Sequence, residues 1–412
     1  MLNVLKNRTY RHLIAAQVIA LMGTGLATVA LALLAYDLAG DRAGLVLGTA
    51  LTIKMISYVT IAPIASALAE TRPRRAWLVS LDVIRAAVAL ALPFVDQIWQ
   101  IYVLIFMLQA SSAAFTPAFQ ASIPDVLPDE EDYTNALSLS RLAYDLESLL
   151  SPALAAALLT VMAFGTMFFG TALGFIASAL LVLSITLPSP KPARQRGIYD
   201  RTTRGLRLYL NTPRLRGLLG LSMVASATGA MVIVNTVVLV RSELGLGENM
   251  VALVLASFGA GSMLAALALP RLLSHTSDRR VMSAGALLAL AALVLLAVQT
   301  QLTGLSLPPL LIAWLAIGVG YSTILTPSGR LLRRSAQAED RPAVFAAQFT
   351  LSHGCWLVTY PMAGWLMSRF GTAPALWGLT ALGVAGVLYA WHQWPAQDQP
   401  EQPNKVAPPP EP

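Results

Sequence analysis

The sequence predicts an all-α polytopic membrane protein whose twelve transmembrane helices form two pseudo-symmetric six-helix bundles. Three observations carry this prediction. Of the 412 residues, 56% are hydrophobic and only 12% are charged, whereas a soluble domain carries roughly 25% charged residues. Apolar stretches of about 20 residues, each long enough to cross the ~30 Å hydrocarbon core as a helix, recur along the whole length. Finally, the second part of the chain repeats the plan of the first.

The repeat is clearest around residues 117–152, where the end of an apolar helix, an acidic loop and a charged helix follow one another. A shift of 210 positions places Pro117 on Pro327, and a shift of 209 places Pro152 on Pro361. Prolines at matching positions are expected to mark helix bends. A repeat this long exceeds the periods of solenoid proteins and indicates two duplicated halves, as in many transporters.

Twelve apolar stretches set the order of the elements. The first is too long for the apolar region of a cleaved signal peptide and is expected to be retained. Residues 1–187 and 216–394 are predicted to form the two bundles. Residues 188–215 are predicted to form a cytoplasmic linker with an amphipathic helix at 200–210 on the inner leaflet, and residues 395–412 a disordered tail. The predicted spans are 11–36, 44–69, 76–95, 98–121, 135–160, 164–187, 216–240, 249–270, 280–299, 305–327, 343–367 and 373–394.

Positive charge predicts the orientation of these spans. One set of loops, together with the two termini, carries 22 Lys and Arg residues, whereas the opposite loops carry 3. Because basic residues stay on the cytoplasmic side, both termini are predicted to be cytoplasmic in a bacterial inner membrane. The net charge of +7 therefore reflects topology. It does not indicate nucleic-acid binding, since the basic residues are spread over membrane-flanking loops.

The loop between spans two and three contains a recognisable motif, SALAETRPRRAWLVSLDVIRA, over residues 66–86. It resembles the loop signature of the major facilitator superfamily, Gly-x-Leu-Ala-Asp-Arg-x-Gly-Arg-Arg followed by an Asp and an Arg. A degenerate second copy, RLLSHTSDRRV, contains Asp278. The matching residues are Arg74, Arg75, Asp82 and Arg85, and the departures are Ser66, Glu70, Thr71 and Pro73. The resemblance implies a secondary transporter that works by alternating access.

The region around the acidic loop is similar to one branch of that superfamily, which contains the enterobactin exporter, macrolide efflux pumps and nickel-resistance exporters. The similar segments are Ile123-Pro124-Asp125, 135–138 and 151–153. The branch implies efflux of a small compound, drug-like or siderophore-like, in exchange for protons. Two features of drug–proton antiporters are missing, since span four has no Arg and span five has no Gly in its signature.

The motif also implies a gating latch at the cytoplasmic ends of the helices. Glu70, Arg74 and Arg75 are expected to form ion pairs with Asp82 and Arg85 of the next helix and to hold the helices together when the protein faces outward. Because exposed ion pairs stabilise by only ~0.2–1 kcal/mol each, such a latch would bias one state without forbidding the other. Simple positive-inside anchoring is the alternative role.

Span five carries charges near the middle of the membrane. Asp145 lies about 15 Å along this helix, and Arg141 is one turn earlier, where an i,i+4 ion pair can form. A charge at this depth costs ~2.5–3.5 kcal/mol and needs a partner or a role. Asp145 or Glu147 is predicted to bind the coupling proton, with a purely structural ion pair as the alternative. Since residues two apart point about 200° apart, only one of them can face a given cavity.

Two further polar residues lie deep in apolar spans. Lys54 in span two is a candidate anchor for an anionic substrate or a counter-charge to the carboxylates. His353 in span eleven is a candidate proton switch, because imidazole titrates near pH ~6.5; the alternative is a histidine that only hydrogen-bonds to Ser, Thr or the backbone. By analogy with the superfamily, spans two and eleven are expected to be neighbours. Trp356 and Tyr360 continue the stripe that His353 begins, and with Lys54 and Arg141 they are predicted to line the substrate path, or else to pack.

The sequence indicates neither an enzyme nor a cofactor. It has no nucleotide-binding loop, and its single cysteine and four scattered histidines offer no dedicated metal site. The predicted partners are a small-molecule substrate, protons and the lipid bilayer, and a monomer is expected. Efflux of a divalent metal or metal chelate remains an alternative, as does a non-transporting membrane receptor or assembly factor on the same fold.

Overall fold

The structure, a computed structural model, describes residues 2–39, 43–69, 72–188 and 198–394. Its first half contains six long helices whose apolar sequences match the predicted spans. Asp129 caps the start of the fifth of them, since its side chain accepts a hydrogen bond from the backbone N–H of Asp132 at 3.0 Å. The helices are α1 (Arg8–Ala39), α2 (Ala43–Ala69), α3 (Arg74–Ala91), α4 (Ile98–Val126), α5 (Glu130–Leu159) and α6 (Phe164–Leu183).

The second half repeats this arrangement after a short linker helix, α7 (Ile198–Asn211). Pro213 and Pro342 stand in the first turns of α8 and α13, where a missing N–H costs nothing. The helices are α8 (Pro213–Val237, extended by a π-helical turn Val238–Glu243), α9 (Glu248–His275), α10 (Asp278–Thr303), α11 (Leu307–Leu325), α12 (Ser328–Ser335), α13 (Arg341–Phe370) and α14 (Thr372–Gln393). The described chain thus contains twelve long helices in two sets of six, which confirms the predicted fold class.

The duplicated prolines behave differently in the two halves. Helix α4 runs through Pro117 without interruption. At Pro327, by contrast, α11 has ended and the short α12 begins. The predicted bend is therefore a helix break in the second half only.

Ten of the long helices are apolar enough to cross a membrane by length and hydropathy alone. The two long helices outside that set are α5 and α13, which hold equivalent places in the repeat. Helix α5 carries six charged residues, and α13 contains His353 among several Ser, Thr and Gln residues. Helices of this polarity are stable in a membrane when they face other protein segments or a polar cavity. Both lie between the halves, where α5 packs on α9 and α13 packs on α2 and α4.

The contact between the halves differs along the membrane normal. We call the side with the α2–α3 loop, α7 and α12 the basic face, and the other side the opposite face. Near the opposite face, two separate apolar cores form, one from α1–α6 and one from α8–α14. Near the basic face, Ala121 of α4 joins the core of the second half, and Phe349 of α13 packs with Ala62 and Ala113. The halves therefore share apolar cores only towards the basic face.

The linker helix α7 packs against other parts of the protein. Tyr209 is fully buried and its hydroxyl donates to Gln348 of α13. Gly205 lies so close to α13 that a Cβ there would be 2.1 Å from the carbonyl oxygen of Ala343. The helix packs on α13, α2 and α8 and thus contacts both halves. The predicted tail, 395–412, lies outside the described residues.

Candidate functional site

The predicted ion pair of α5 is present and buried. The guanidinium of Arg141 pairs with both carboxylate oxygens of Asp145, through Nη2 to Oδ1 and through Nε to Oδ2 at 3.3 Å. The Asp145 side chain is 3% exposed. Since both residues lie one turn apart on the same helix, the pair needs no other element to form. It places two opposite charges at the middle of the span.

This pair also reaches the other half of the protein. Arg141 Nε donates to the Ser262 hydroxyl of α9 at 3.0 Å. The guanidinium lies 4.8 Å from the ring centroid of Tyr321 on α11, a favourable cation–π distance. A change of charge at Asp145 would therefore alter contacts that hold α5 to α9 and α11.

Glu147 points away from this interface, as the 200° separation predicts. Its carboxylate accepts a hydrogen bond from Ser151 and faces α1 at Gly25, where a Cβ would lie 2.5 Å from Oε1. It interacts electrostatically with Lys54 of α2. Asp145 and Glu147 thus occupy two separate environments, the first between the halves and the second within the first half.

Lys54 and His353 come together at the contact of α2 with α13, in agreement with the expected neighbourhood of spans two and eleven. The ammonium of Lys54 is 5.6 Å from the Tyr58 ring centroid, and that ring lies 4.8 Å from the imidazole of His353. His353 Nδ1 is 2.7 Å from the carbonyl oxygen of Phe349. Because a carbonyl only accepts, Nδ1 carries the hydrogen and Nε2 is the atom that can take up a proton. Tyr58 in turn donates to Gln109 at 3.1 Å.

The aromatic stripe of α13 divides into two groups. Trp356 and Tyr360 pack against each other at 4.8 Å between ring centroids, and Tyr321 meets Trp356 at 6.2 Å. His353 instead packs between Tyr58 and Phe349. Gly229 of α8 makes room for Trp356, since a Cβ there would be 2.4 Å from the indole. Tyr321 connects the aromatic group to Arg141 and hence to the ion pair.

Two of the proposed latch residues lie away from the basic face. Asp82 and Arg85 form a buried ion pair inside the first half, with Ser178 of α6 donating to Asp82 at 2.8 Å. The Arg85 guanidinium lies between Phe115 and Phe175, 4.1 and 4.6 Å from their ring centroids. The physical reason is depth: eight residues of helix carry Asp82 about 12 Å from the start of α3, away from the basic face. These partners belong to the first half, so this pair joins α3 to α4 and α6 and does not join the two halves.

The other latch residues have different outcomes. Arg74 bonds to Asp125 at 2.6 Å, and Asp125 also bonds to Arg341 of α13 at 2.7 Å, so this chain of charges crosses between the halves. Arg75 is exposed and donates only weakly to the carbonyl of Ile185, at 3.5 Å. Glu70 lies outside the described residues.

The main contact at the basic face joins two turns that sequence reasoning had not paired. The acidic α4–α5 turn docks on the basic α11–α13 turn, where Arg330 and Arg334 both pair with Glu130. Arg330 also donates to Thr134 at 2.8 Å, and Arg333 to backbone carbonyls of the acidic turn. Arg204 of the linker helix pairs with Asp340 at the other end of the basic turn.

A signal for this pairing exists in the sequence. The α4–α5 turn carries five acidic residues between Asp125 and Asp132 and no basic one, whereas the stretch from Arg330 to Arg341 carries four arginines besides Glu339 and Asp340. Asp278 of the degenerate second motif joins the same cluster through Arg330 at 3.1 Å and Arg334 at 2.7 Å. The halves are thus closed at the basic face by complementary charges, in addition to the shared apolar cores.

A metal centre is not visible in the part of the chain that the structure describes, because no three His, Cys, Asp or Glu side chains there are grouped closely enough to hold an ion. Cys355 is buried in α13. The groups that the site offers are ionic and aromatic: the Arg141–Asp145 pair at the contact between the halves, the charges of Glu147 and Lys54, the imidazole of His353 and the aromatic cluster.

Comparison with known protein families and sequences finds membrane transporters. The family model described as Major Facilitator Superfamily matches residues 13–234 and 218–412. The chain is 24% identical over 360 residues, 83% of either chain, to the uncharacterized MFS-type transporter YvqJ of Bacillus subtilis. It is 25% identical over 152 residues to macrolide efflux protein A of Enterococcus faecalis, which covers 34% of this chain and 47% of that protein.

Solved structures support the same fold. The human organic anion transporter MFSD10 superposes with a TM-score of 0.79 at 14% identity, covering 93% of this chain and 99% of that one. The fucose:proton symporter FucP of E. coli gives a TM-score of 0.70 at 16% identity, with 94% and 98% coverage.

Proposed function

The chain belongs to the major facilitator superfamily of membrane transporters, and from this premise we propose that it is a proton-coupled exporter of a small organic compound. The observation that carries the proposal is the buried Arg141–Asp145 pair, which bonds to Ser262 of the opposite half. A buried, hydrogen-bonded carboxylate at the seam of two moving halves is where protonation has the greatest mechanical effect.

The coupling step follows from the charges of this pair. A proton on Asp145 removes the negative charge that fixes the Arg141 guanidinium. Arg141 is then a buried cation without its counter-charge, which is costly in a low-dielectric setting. It gains by leaving Ser262 and Tyr321 for solvent or for an anionic group in the cavity. Loss of those two contacts loosens α5 from α9 and α11, the elements that must separate when the halves rock.

The direction of the cycle follows from the orientation. The positive-inside rule assigns the basic face to the cytoplasm of a bacterial inner membrane, with both termini inside. The charged turns then close the cytoplasmic side, and the separate apolar cores lie towards the outside. In this state Asp145 and Glu147 would receive protons from the outer medium, which suits an exporter that exchanges protons for substrate.

The substrate class rests on the aromatic cluster and on one comparison. Trp356, Tyr360 and Tyr321 offer large planar surfaces next to the ion pair, which suits an organic molecule better than a hydrated ion. Similarity to macrolide efflux protein A over about a third of the chain supports export of drug-like compounds. Lys54 and His353 would contact polar groups of the same substrate, and Glu147 would bind a second proton or balance Lys54.

The test is pH-gradient-driven flux in proteoliposomes. Macrolide antibiotics, a panel of other toxic organic compounds and nickel salts are supplied on the basic-face side, and proton release is followed with a pH-sensitive dye. We expect an organic compound to be transported by the wild type, Asp145→Asn to abolish the gradient-driven flux, and Glu147→Gln to reduce it. Asp200→Asn, a charge loss in the exposed linker helix, is the matched control. If both carboxylate variants kept full flux, the coupling proposal would be wrong; flux of nickel alone would favour metal efflux, and no flux of any probe a receptor.

A further inference from the structure

Arginines without an ion-pair partner in the described part of the chain lie at one corner of the basic face, apart from the site between the halves. Here the last turn of α14 fits between the first turns of α8 and α10. Trp391 Nε1 donates to the Ser283 hydroxyl of α10 at 3.3 Å. On the other side, Gly217 of α8 lies against Trp394, where a Cβ would be 2.8 Å from the tryptophan Cβ. The end of α14 is thus fixed between two helices.

Two arginines flank this end of α14. Arg216 is the neighbour of Gly217 in α8, and Arg279 is one turn before Ser283 on the same side of α10. In both, the Nε atom is buried and has no hydrogen-bond partner. Neither takes part in an ion pair among the described residues. Asp278, the acidic residue next in sequence, is already held by Arg330 and Arg334.

The surroundings add more positive charge. Arg271 near the end of α9, Arg280 in the first turn of α10 and His392 in the last turn of α14 are exposed. This contrasts with the turns between the halves, where the arginines are matched by carboxylates. Arginines without a carboxylate partner are suited to a phosphate, which accepts two parallel hydrogen bonds from a guanidinium group.

An apolar track leads from this corner into the membrane. Leu287 follows Ser283 by one turn on α10, and Leu388 and Val384 precede Trp391 by one and two turns on α14. All three are exposed, at 46%, 59% and 42%. Trp391, which is 42% exposed, lies between these apolar residues and the arginines. Interfacial tryptophans lie at the level of the lipid headgroups. These apolar residues lie on the same helix faces as Ser283 and Trp391. A lipid with its phosphate at the arginines would therefore place its acyl chains along α10 and α14.

We propose that this corner, defined by Arg216, Arg279 and Trp391, is a binding site for the headgroup of an anionic phospholipid, with acyl chains along Leu287, Leu388 and Val384. Basic pockets between transmembrane helices recognise such headgroups. The bound lipid would fasten the ends of α8, α10 and α14 to one another. The proposal does not depend on which compound the protein transports or in which direction.

The experiment measures lipid binding to the purified full chain in detergent, by native mass spectrometry and thermal unfolding. Phosphatidylglycerol is compared with phosphatidylcholine. The variant Arg216→Gln/Arg279→Gln removes both guanidinium groups, and Arg8→Gln/Arg11→Gln removes two exposed charges from the same face of the other half. We expect wild type and control to prefer phosphatidylglycerol, and the double variant at the corner to bind it about tenfold more weakly or worse, as loss of charged hydrogen bonds implies.

A second variant protects the test against misfolding. Arg216→Lys/Arg279→Lys keeps the charge but loses the planar fork, and we expect it to fold and bind with intermediate strength. Equal weakening in the control and corner variants would overturn the proposal, since it would indicate general surface charge. So would a wild type without preference for the anionic lipid. If inorganic phosphate alone stabilised the protein as much as the lipid does, the site would be a free-anion site and the lipid assignment would be wrong.

Discussion

The first helix of each half carries a glycine against which a helix of the interface packs, and the two glycines receive different side chains. Gly25 of α1 lies against Glu147 of α5, and Gly229 of α8 lies against Trp356 of α13. The shift of 209 positions that aligns Pro152 with Pro361 also aligns Glu147 with Trp356. Each half thus has a close helix contact at a glycine of its first helix, filled by Ser151 and the Glu147 carboxylate in the first half and by the Trp356 indole in the second.

The same shift sharpens the contrast along the rest of these helices. Arg141 and Asp145 of α5 align with Thr350 and Gly354 of α13. The first copy thus holds the charged pair, and the second offers aromatic and small residues in its place. Such a division separates two tasks, since ionic chemistry is concentrated on α5 and contacts suited to an organic ligand on α13. The charges of the turns at the basic face differ as well, because the first turn is acidic throughout and the second adds arginines to Glu339 and Asp340.

The largest expected effect comes from replacing equivalent residues of the two copies with alanine. Asp145→Ala leaves the Arg141 guanidinium buried without a counter-charge, which costs about 3–5 kcal/mol of stability. Gly354→Ala places a methyl group where no atom lies within 4 Å, and it should change stability by less than ~1 kcal/mol in either direction. Unfolding free energies in mixed micelles would measure both. Equal losses would show that charge is not what distinguishes α5 from α13.

The next effect concerns the complementary turns. Asp125→Asn removes the charge that joins Arg74 of one half to Arg341 of the other. Because hydrogen bonds to charged groups contribute about 1.5–3 kcal/mol, we expect the population with an open basic face to rise roughly tenfold or more. Double electron–electron resonance between spin labels on the two turns, at Glu131 and Ala338, would report a longer distance.

A control variant tests whether the opening of the basic face is caused by loss of the ion pairs between the halves. Asp200 pairs with Arg207 within α7, and both side chains are about half exposed. Asp200→Asn should therefore cost only ~0–1 kcal/mol and leave the distance distribution unchanged. A similar opening in both variants would mean that the basic face closes through apolar packing alone.

How much of this could be predicted depends on the range of each interaction. The spans, the Arg141–Asp145 pair and the opposite directions of Asp145 and Glu147 follow from helix geometry, which acts within one or two turns. The neighbourhood of Lys54 and His353 was predicted only by analogy. The structure places Asp82 and Arg85 away from the basic face, because the depth of a residue depends on where its helix begins relative to the membrane. The docking of the acidic turn on the arginine-rich turn is tertiary, and the excess of acidic residues in one turn and of arginines in the other was its only trace in the sequence.

The two glycine contacts are expected to affect different properties of transport, its pH dependence and its apparent affinity for substrate. Gly25→Ala would place a Cβ 2.1 Å from the Ser151 hydroxyl and 2.5 Å from Glu147 Oε1, and Gly229→Ala one 2.4 Å from the Trp356 ring. The displaced atoms are side-chain ends, so each change should cost roughly 1 kcal/mol, the lower end of overpacking costs. We expect Gly25→Ala to alter the pH profile of transport and Gly229→Ala to raise the apparent KM at an unchanged pH profile. The reverse pattern would refute the division of tasks between the copies.

The smallest effect concerns α7, which belongs to neither copy and contacts both. Its firmest bond is to the second half, where the Tyr209 hydroxyl donates to Gln348, which in turn donates to Ser222 at 3.2 Å. Tyr209→Phe leaves that amide oxygen unpaired in a buried place and should cost about 1 kcal/mol. Amide hydrogen exchange in α7 should then be roughly fivefold faster, because the helix opens locally more often. Tyr199→Phe, in the same helix but 78% exposed, should leave exchange unaltered; faster exchange in both variants would mean that α7 is held mainly by its contact with α2.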